Sequence, residues 1–307
     1  MGSAAGLSLA SLAPPRLLAA PAAPAAPVSA GLAVRPLTDK LTLVSGAGGN
    51  VVALSSPQGL LLVDCGSAEY SHALLRTLGA LPGGHAIRTV FNTHWHWDHT
   101  GGNELLRKSG AQIIAHENTR LWLGTDIWVE WQQRTYPRRP PQALPTTTFY
   151  SGGGKLEFGG EPIEYGYLAQ AHTDGDLYVY FRRQNVLVAG DVVSVGSYPI
   201  LDYSTGGWIG GMAAATQRLV EITDERTQIV PGSGPVTTRA QVASEHAMLA
   251  TLQENLWQLM RKGYGADDMI RRHATRDYDP QWGNSDLFLE CCYRGLYGHV
   301  REMRGVV

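Results

Sequence analysis

Apolar and polar positions alternate with a period near two through residues 42–56, TLVSGAGGNVVALSS. Residues 59–66, GLLLVDCG, run apolar instead. Both patterns predict strands, separated by the turn at Pro57-Gln58-Gly59. The spacing of apolar residues in AEYSHALLRTLGAL, 68–81, predicts a helix that ends before Pro82-Gly83-Gly84. IRTVFNTH (87–94) reads as a buried strand, GGNELLRKSG (101–110) as a helix and AQIIAH (111–116) as the next strand. A second batch follows: a hairpin-like stretch at 155–170, then strands 176–181 and 185–191 around Arg183-Gln184-Asn185. A helix over 207–223, a last strand with its loop at 228–234 and a long amphipathic helix over 238–263 complete it. Strands and helices in two successive batches predict an α/β chain of two sheets with helices outside.

Two stretches break this rhythm. Residues 1–35 are almost all Ala, Pro, Ser, Leu and Gly, with Arg16 an early lone charge. They read either as a low-complexity arm or as an export signal that lacks its positive start, which points to a periplasmic or otherwise exported protein without excluding a cytoplasmic one. The folded domain is then expected over 36–307. Residues 119–150 are rich in Trp and Pro; they begin helix-like and are expected to become a proline-broken loop, an insertion into the domain. Residues 238–307 form a C-terminal helical extension.

Bulk composition narrows the class. A hydrophobic fraction of 44 % with 17 % charged residues is that of a foldable globular chain. The net charge of −2 and the lack of a basic tract exclude a nucleic-acid partner, and no apolar run is long enough to span a bilayer. Cys65, Cys291 and Cys292 do not form a disulfide framework; the adjacent pair reads as buried apolar residues. The C-terminal helices leave room for a homo-oligomer without pointing to one.

The chemistry concentrates in NTHWHWDHTG, 92–101, where His94, His96, Asp98 and His99 fall within six positions. His-x-His at a strand end sends both imidazoles to one side, and Asp98 and His99 in the following turn can face a second position. Imidazole and carboxylate suit Zn²⁺, Fe or Mn. Any one such histidine is more often an ordinary core or loop residue; three with an aspartate are not. Further ligands are expected at other strand ends: His172 in AQAHTDGD, and Asp191 at the tip of NVLVAGD, where a buried carboxylate needs a cation or hydrogen-bond donors.

These residues identify the chain as resembling the metallo-β-lactamase fold superfamily. The features are LLVDCG with Asp64, THWHWDHTGGN, AHTDGD, AGDVV and VPGSGP, in the family's order from residue 41 to about 240. The resemblance implies a four-layer αββα sandwich with a binuclear site on one edge. It places a first metal on His94, His96 and His172, a second on Asp98 and His99, and Asp191 between them, with Asp64 orienting the site from behind. In the family a histidine usually stands where this chain has Ser233. A hydroxyl is a weaker ligand, so one tight metal, most simply Zn²⁺, and one weaker metal are expected. His246 on the next helix is the alternative donor. His116 reads as structural, and His72, His85, His273 and His299 have no partner pattern.

Such a site activates water, with Asp98 placed to orient it and carry a proton. No Gly-x-Ser-x-Gly elbow offers a different nucleophile. The expected activity is metal-dependent hydrolysis of an ester, thioester, lactone or amide-type small molecule. An aspartate at position 191 resembles the family's thioesterase, lactonase and general hydrolase branches more than its β-lactamases. Three alternatives stand beside it: β-lactamase-like activity on the same site, a mononuclear iron centre resembling the family's sulfur dioxygenases, and a metal-stabilised binding protein without catalysis. The candidate pocket residues are Trp95, Trp97, Trp128 and Tyr198. Trp122, Trp131, Tyr136 and Phe149 either line that pocket or pack the insertion, Arg138 and Arg139 are placed to meet a carboxylate, and Asp202 and Tyr203 lie in the loop after Asp191.

Overall fold

The computed structural model describes residues 31–303. Most of the Ala/Pro-rich arm, residues 1–30, lies outside the described residues. The boundary expected at residue 35 falls inside a strand: Ala33–Pro36 (β1) pairs antiparallel with Leu41–Ala47 (β2). Gly49–Ser56 (β3), Gly59–Val63 (β4), Ile87–Phe91 (β5) and Gln112–His116 (β6) follow. Ser71–Gly79 (α1) crosses between β4 and β5, and Trp97–Thr100 (α2) and Asn103–Lys108 (α3) cross between β5 and β6. The strand expected to run through residue 94 therefore stops at Phe91, and the histidines stand in the loop beyond it.

The segment 119–150 is more ordered than its prolines predict. After Glu117–Leu123 (α4), Ile127–Val129 (β7) and Arg134–Tyr136 (β8) pair as an antiparallel hairpin. Thr147–Phe149 (β9) then joins β6 in parallel, completing the first sheet in the order β1-β2-β3-β4-β5-β6-β9. Strands of three residues are too short to display a period, so only their pairing reveals them.

The second sheet runs Gly153–Phe158 (β10), Glu161–Leu168 (β11), Asp176–Phe181 (β12), Val186–Gly190 (β13), Gln228–Pro231 (β14) and Thr237–Thr238 (β15), in that spatial order. Ile209–Ile222 (α5), Arg239–Arg261 (α6), Ala266–Arg271 (α7), Asp279–Trp282 (α8) and Asp286–Met303 (α9) make up the remaining helices.

Period-two alternation separates the layers. Val52, Leu54, Leu61 and Val63 of the first sheet meet Leu177, Val179, Phe181 and Val188 of the second in the core between the sheets. The intervening residues Val51, Ala53, Leu60 and Leu62 face Leu74 and Leu78 of α1 on the outside. On the far face of the second sheet, Tyr178, Tyr180 and Leu187 pack with Met212 of α5, Leu249 of α6 and Phe288 of α9. Helix, sheet, sheet and helix form four layers, with the C-terminal helices joined to the outer one.

Candidate metal centre

One edge of the sandwich collects the loops that carry the chemistry. Asp64 follows β4, the His94–His96 loop follows β5, His172 lies between β11 and β12, Asp191 follows β13, and Gly232-Ser233 follows β14. His94, His96, His172 and Asp191 each offer a ligand atom within 4.8 Å of the others. Asp191 stands between two groups: Oδ2 lies 3.7 Å from His94 Nε2 and 3.6 Å from His172 Nε2, while Oδ1 lies 3.4 Å from His99 Nε2. Asp98 Oδ2 is 3.6 Å from the same His99 nitrogen.

The outer hydrogen bonds determine which imidazole nitrogens are bare. His172 Nδ1 lies 2.8 Å from the Ile200 carbonyl oxygen and must carry the proton, leaving Nε2 unprotonated. His96 Nε2 lies 3.1 Å from Asp202 Oδ2, which leaves Nδ1 as the nitrogen turned inward. Thr93 Oγ1 donates its single proton to Asp64 Oδ2, so His94 Nδ1 donates to Thr93 and its Nε2 is bare. His99 Nδ1 lies 2.9 Å from Asp64 Oδ2, so its Nε2 is the nitrogen turned inward. Partners on the outer nitrogen set the tautomer in this way around metal-binding histidines.

Four inward-facing ring nitrogens therefore converge beside two carboxylates. His172 Nε2 and His96 Nδ1 face each other at 3.0 Å. His94 Nε2 and His99 Nε2 are buried and have no hydrogen-bond partner. Such orphaned acceptors are costly unless a positive charge sits among them, and this donor set of imidazole and carboxylate fits Zn²⁺ or a similar divalent ion. The electrostatics of His99 show the same demand for positive charge: burial opposes charge on the ring, yet Asp191, Asp98 and Asp64 hold its pKa well above the usual imidazole value, so that without a metal a proton on Nε2 supplies the charge a cation would bring. Burial lowers the pKa of His94, and the neighbouring His99 lowers it further.

The backbone is shaped around these groups. Asp64 is buried with φ of 62°, a left-handed conformation unusual for a residue with a side chain. That turn lets one carboxylate hold both Thr93 and His99. Gly232 is required for space: a Cβ there would collide with Asp191 Oδ1 and stand 2.9 Å from His99 Cε1.

The expected pocket residues separate into different roles. Trp95 is buried; it packs edge-on to Tyr136 and donates to Thr205 Oγ1, so it belongs to the core. Trp97 lines a cavity of about 280 Å³ that includes Asp98, Tyr136, Arg134 and Arg139. Trp128 is 52 % exposed on β7 and lines neither this cavity nor the second one. That second cavity, about 170 Å³, is bounded by His172, Asp191, Ser194, Tyr198 and the exposed Ser233. Tyr198 contributes only a wall, because its ring stacks on Phe288 and its hydroxyl donates to Asp279. Trp122 and Trp131 anchor the insertion by donating to Asp174 and Asp202, and Phe149 packs against Tyr165. Arg138 is exposed outside the cavity, Tyr203 packs against the outer core, and His246 is bonded to the Ala213 carbonyl.

Asp202 is the residue whose role differs most from expectation. It is fully buried and accepts from Thr205 Oγ1 and Trp131 Nε1 while holding His96. Glu245 and Arg134 carried no signal in the sequence and both reach the site's surroundings: Glu245 accepts from the Ser194 backbone N–H, and Arg134 lies over the Tyr136 ring.

Fold and site together define an αββα protein with a histidine and aspartate cluster suited to a metal ion. The family model of the metallo-beta-lactamase superfamily matches residues 44–239, and the chain belongs to that superfamily. It is 28 % identical over 166 residues to the 2,4-dinitroanisole O-demethylase subunit alpha of Nocardioides sp. (strain JS1661), a match covering 52 % of this chain and 46 % of that one. It is 23 % identical over 190 residues to the metallo-beta-lactamase type 2 of Bacillus cereus, covering 62 % and 68 %. The structure of a stereoselective inverting sec-alkylsulfatase from Pseudomonas sp. shares the fold with a TM-score of 0.68 at 17 % identity, covering 86 % of this chain and 50 % of that one. The chain thus spans about half the length of two of these three proteins.

Proposed function

We propose that the protein is a metal-dependent hydrolase acting on an ester, thioester, lactone or amide-type bond of a small molecule. The observation that carries this reading is the convergence of four imidazole nitrogens around Asp191. His94, His96 and His172 would hold the first metal, Asp98 and His99 the second, and Asp191 would bridge them. Zinc bound there supplies a Lewis acid and lowers the pKa of its water to about 7. Asp98 is half-exposed in the wall of a cavity, where it would orient the water and carry its proton towards the leaving group. Asp64 and Asp202 keep the histidines in the tautomers that leave their inner nitrogens bare. Ser233 provides only a hydroxyl beside Asp191, which supports a second metal held more weakly than the first.

The relatives named for O-demethylation and for β-lactam cleavage differ in substrate, so the family alone does not choose one. Elemental analysis combined with a panel of lactone, thioester, aryl ester and β-lactam substrates tests the reading. Zinc-dependent turnover of one class, lost in His172→Ala and reduced in Asp98→Asn, is expected. Iron content with thiol-dependent oxygen uptake would overturn it in favour of an oxygenase, and zinc-loaded protein inert to the whole panel would favour a binding role.

A further inference from the structure

The cavity beside Asp98 lies between the 119–150 insertion and the loops after β4 and β5, and its charge is informative. β8 begins with Arg134, whose guanidinium carbon lies 4.6 Å from the Tyr136 ring centroid and 5.9 Å from that of Trp97. Arg139 approaches Trp97 at 4.9 Å. Trp97 and Tyr136 meet edge-to-face at 5.1 Å, so two cations are seated on one aromatic pair. Among the described residues neither guanidinium is in an ion pair; those formed by lysine and arginine use other residues. Stacking on rings occupies a guanidinium's face and leaves its N–H edge free for oxygen acceptors. Asp98 belongs to the metal side, so Glu69 is the carboxylate left to oppose these two cations within the cavity.

We infer that this cavity binds an oxyanion of the substrate, such as a carboxylate, sulfonate or phosphate, through Arg134 and Arg139 with Trp97 as its floor. The inference rests on the hydrolase reading and gives it a substrate class: small molecules that carry a negative charge within a few bonds of the scissile group. A forked guanidinium meets such groups through paired N–H···O bonds. The cavity volume of about 280 Å³ holds only a compact group. A neutral substrate would leave both arginines facing water, so discrimination arises from binding rather than from the chemical step.

Two measurements on the zinc-loaded full chain test it. Kinetics compare neutral phenyl esters with counterparts carrying a carboxylate on either the acyl or the aryl side. The charged ester is expected to have the lower KM. In the Arg134→Gln/Arg139→Gln variant the charged-to-neutral ratio of kcat/KM should fall about tenfold or more, the scale of one charge-assisted hydrogen bond, through KM rather than kcat. Arg138→Gln, outside the cavity, should keep the parent ratio. Calorimetry with phenylsuccinate gives a readout independent of turnover: its Kd should rise about tenfold in the double variant. A zinc-held carboxylate, or one bound elsewhere, would show the same Kd in both proteins and would overturn the inference. Arginine-dependent binding without hydrolysis of any ester counts against the hydrolase reading and supports this one. Hydrolysis with an unchanged ratio and Kd does the reverse.

Discussion

Asp202 Oδ2 lies 3.1 Å from His96 Nε2, so the ring whose Nδ1 faces His172 is oriented by a residue 106 positions downstream. Burial pushes the Asp202 carboxyl upward, but the hydrogen bond from His96 and the attraction of its ring hold the pKa below the ordinary value. Asp202 is therefore a carboxylate at neutral pH and favours the tautomer with the proton on Nε2. Asp202→Ala should weaken metal binding by about 10- to 100-fold, with Asp202→Asn between the two because it keeps an acceptor but not the charge. Competition with a chromophoric chelator reads this directly. Unchanged affinity in a folded Asp202→Ala protein would show that His96 needs no such support.

The metal cluster was legible in sequence because four of its residues fall within six positions and the others sit in loops next to apolar strands. Asp202 was visible only as a polar residue in a Gly-rich loop, since nothing local marks a carboxylate that bonds a histidine 106 positions away. The hairpin of β7 and β8 was hidden by strand length and by the flanking prolines. Trp95 and Trp97 illustrate the same limit: two neighbours on one turn, one buried and one lining a cavity, separated by tertiary packing that spacing does not encode.

Removal of metal should destabilise the fold. Four buried imidazole nitrogens would then face one another and Asp191 without a cation, while folding holds them together. Chelated protein should melt lower, and added zinc should restore it, by about 2.7 kcal/mol when free zinc is about 100-fold above its Kd. Differential scanning calorimetry measures this; identical melting of chelated and zinc-loaded protein would contradict a metal site here.

Zinc stoichiometry distinguishes the two positions. One ion should resist dialysis and a second should titrate more weakly, because Ser233 brings a hydroxyl where imidazole would bind more firmly. Ser233→His should tighten the second ion while leaving the first unchanged. Two equally tight ions in the unmodified protein would rule out this view of the serine.

Gly232 should tolerate no side chain. A methyl group there would overlap the Asp191 carboxylate and crowd His99 from the backbone side. Gly232→Ala is expected to lose most zinc-dependent activity and weaken the second metal first, since His99 and Asp191 are both proposed for that position. Metal titration of the variant checks the order of loss.

Glu245 interrupts the apolar stripe that Val242, Leu249, Leu252 and Leu256 present from α6. It is buried, and its carboxylate accepts from the Ser194 N–H in the loop after Asp191. Burial raises its pKa well above the ordinary glutamate value of 4.5, and the Ser194 hydrogen bond offsets only part of that. In the unfolded chain the group ionises near 4.5, whereas the folded protein keeps the proton to higher pH. The unfolded state therefore binds fewer protons across this window, and the group's contribution to stability declines as pH rises from 4.5 towards the folded pKa. Glu245→Gln preserves an acceptor for Ser194 and cannot ionise. Its stability relative to the parent should increase with pH through that window and become constant above it. Urea denaturation of both proteins at several pH values isolates the effect, because every other titrating group is common to the two. Parallel stability profiles would mean that Glu245 ionises as readily in the folded protein as in the unfolded chain.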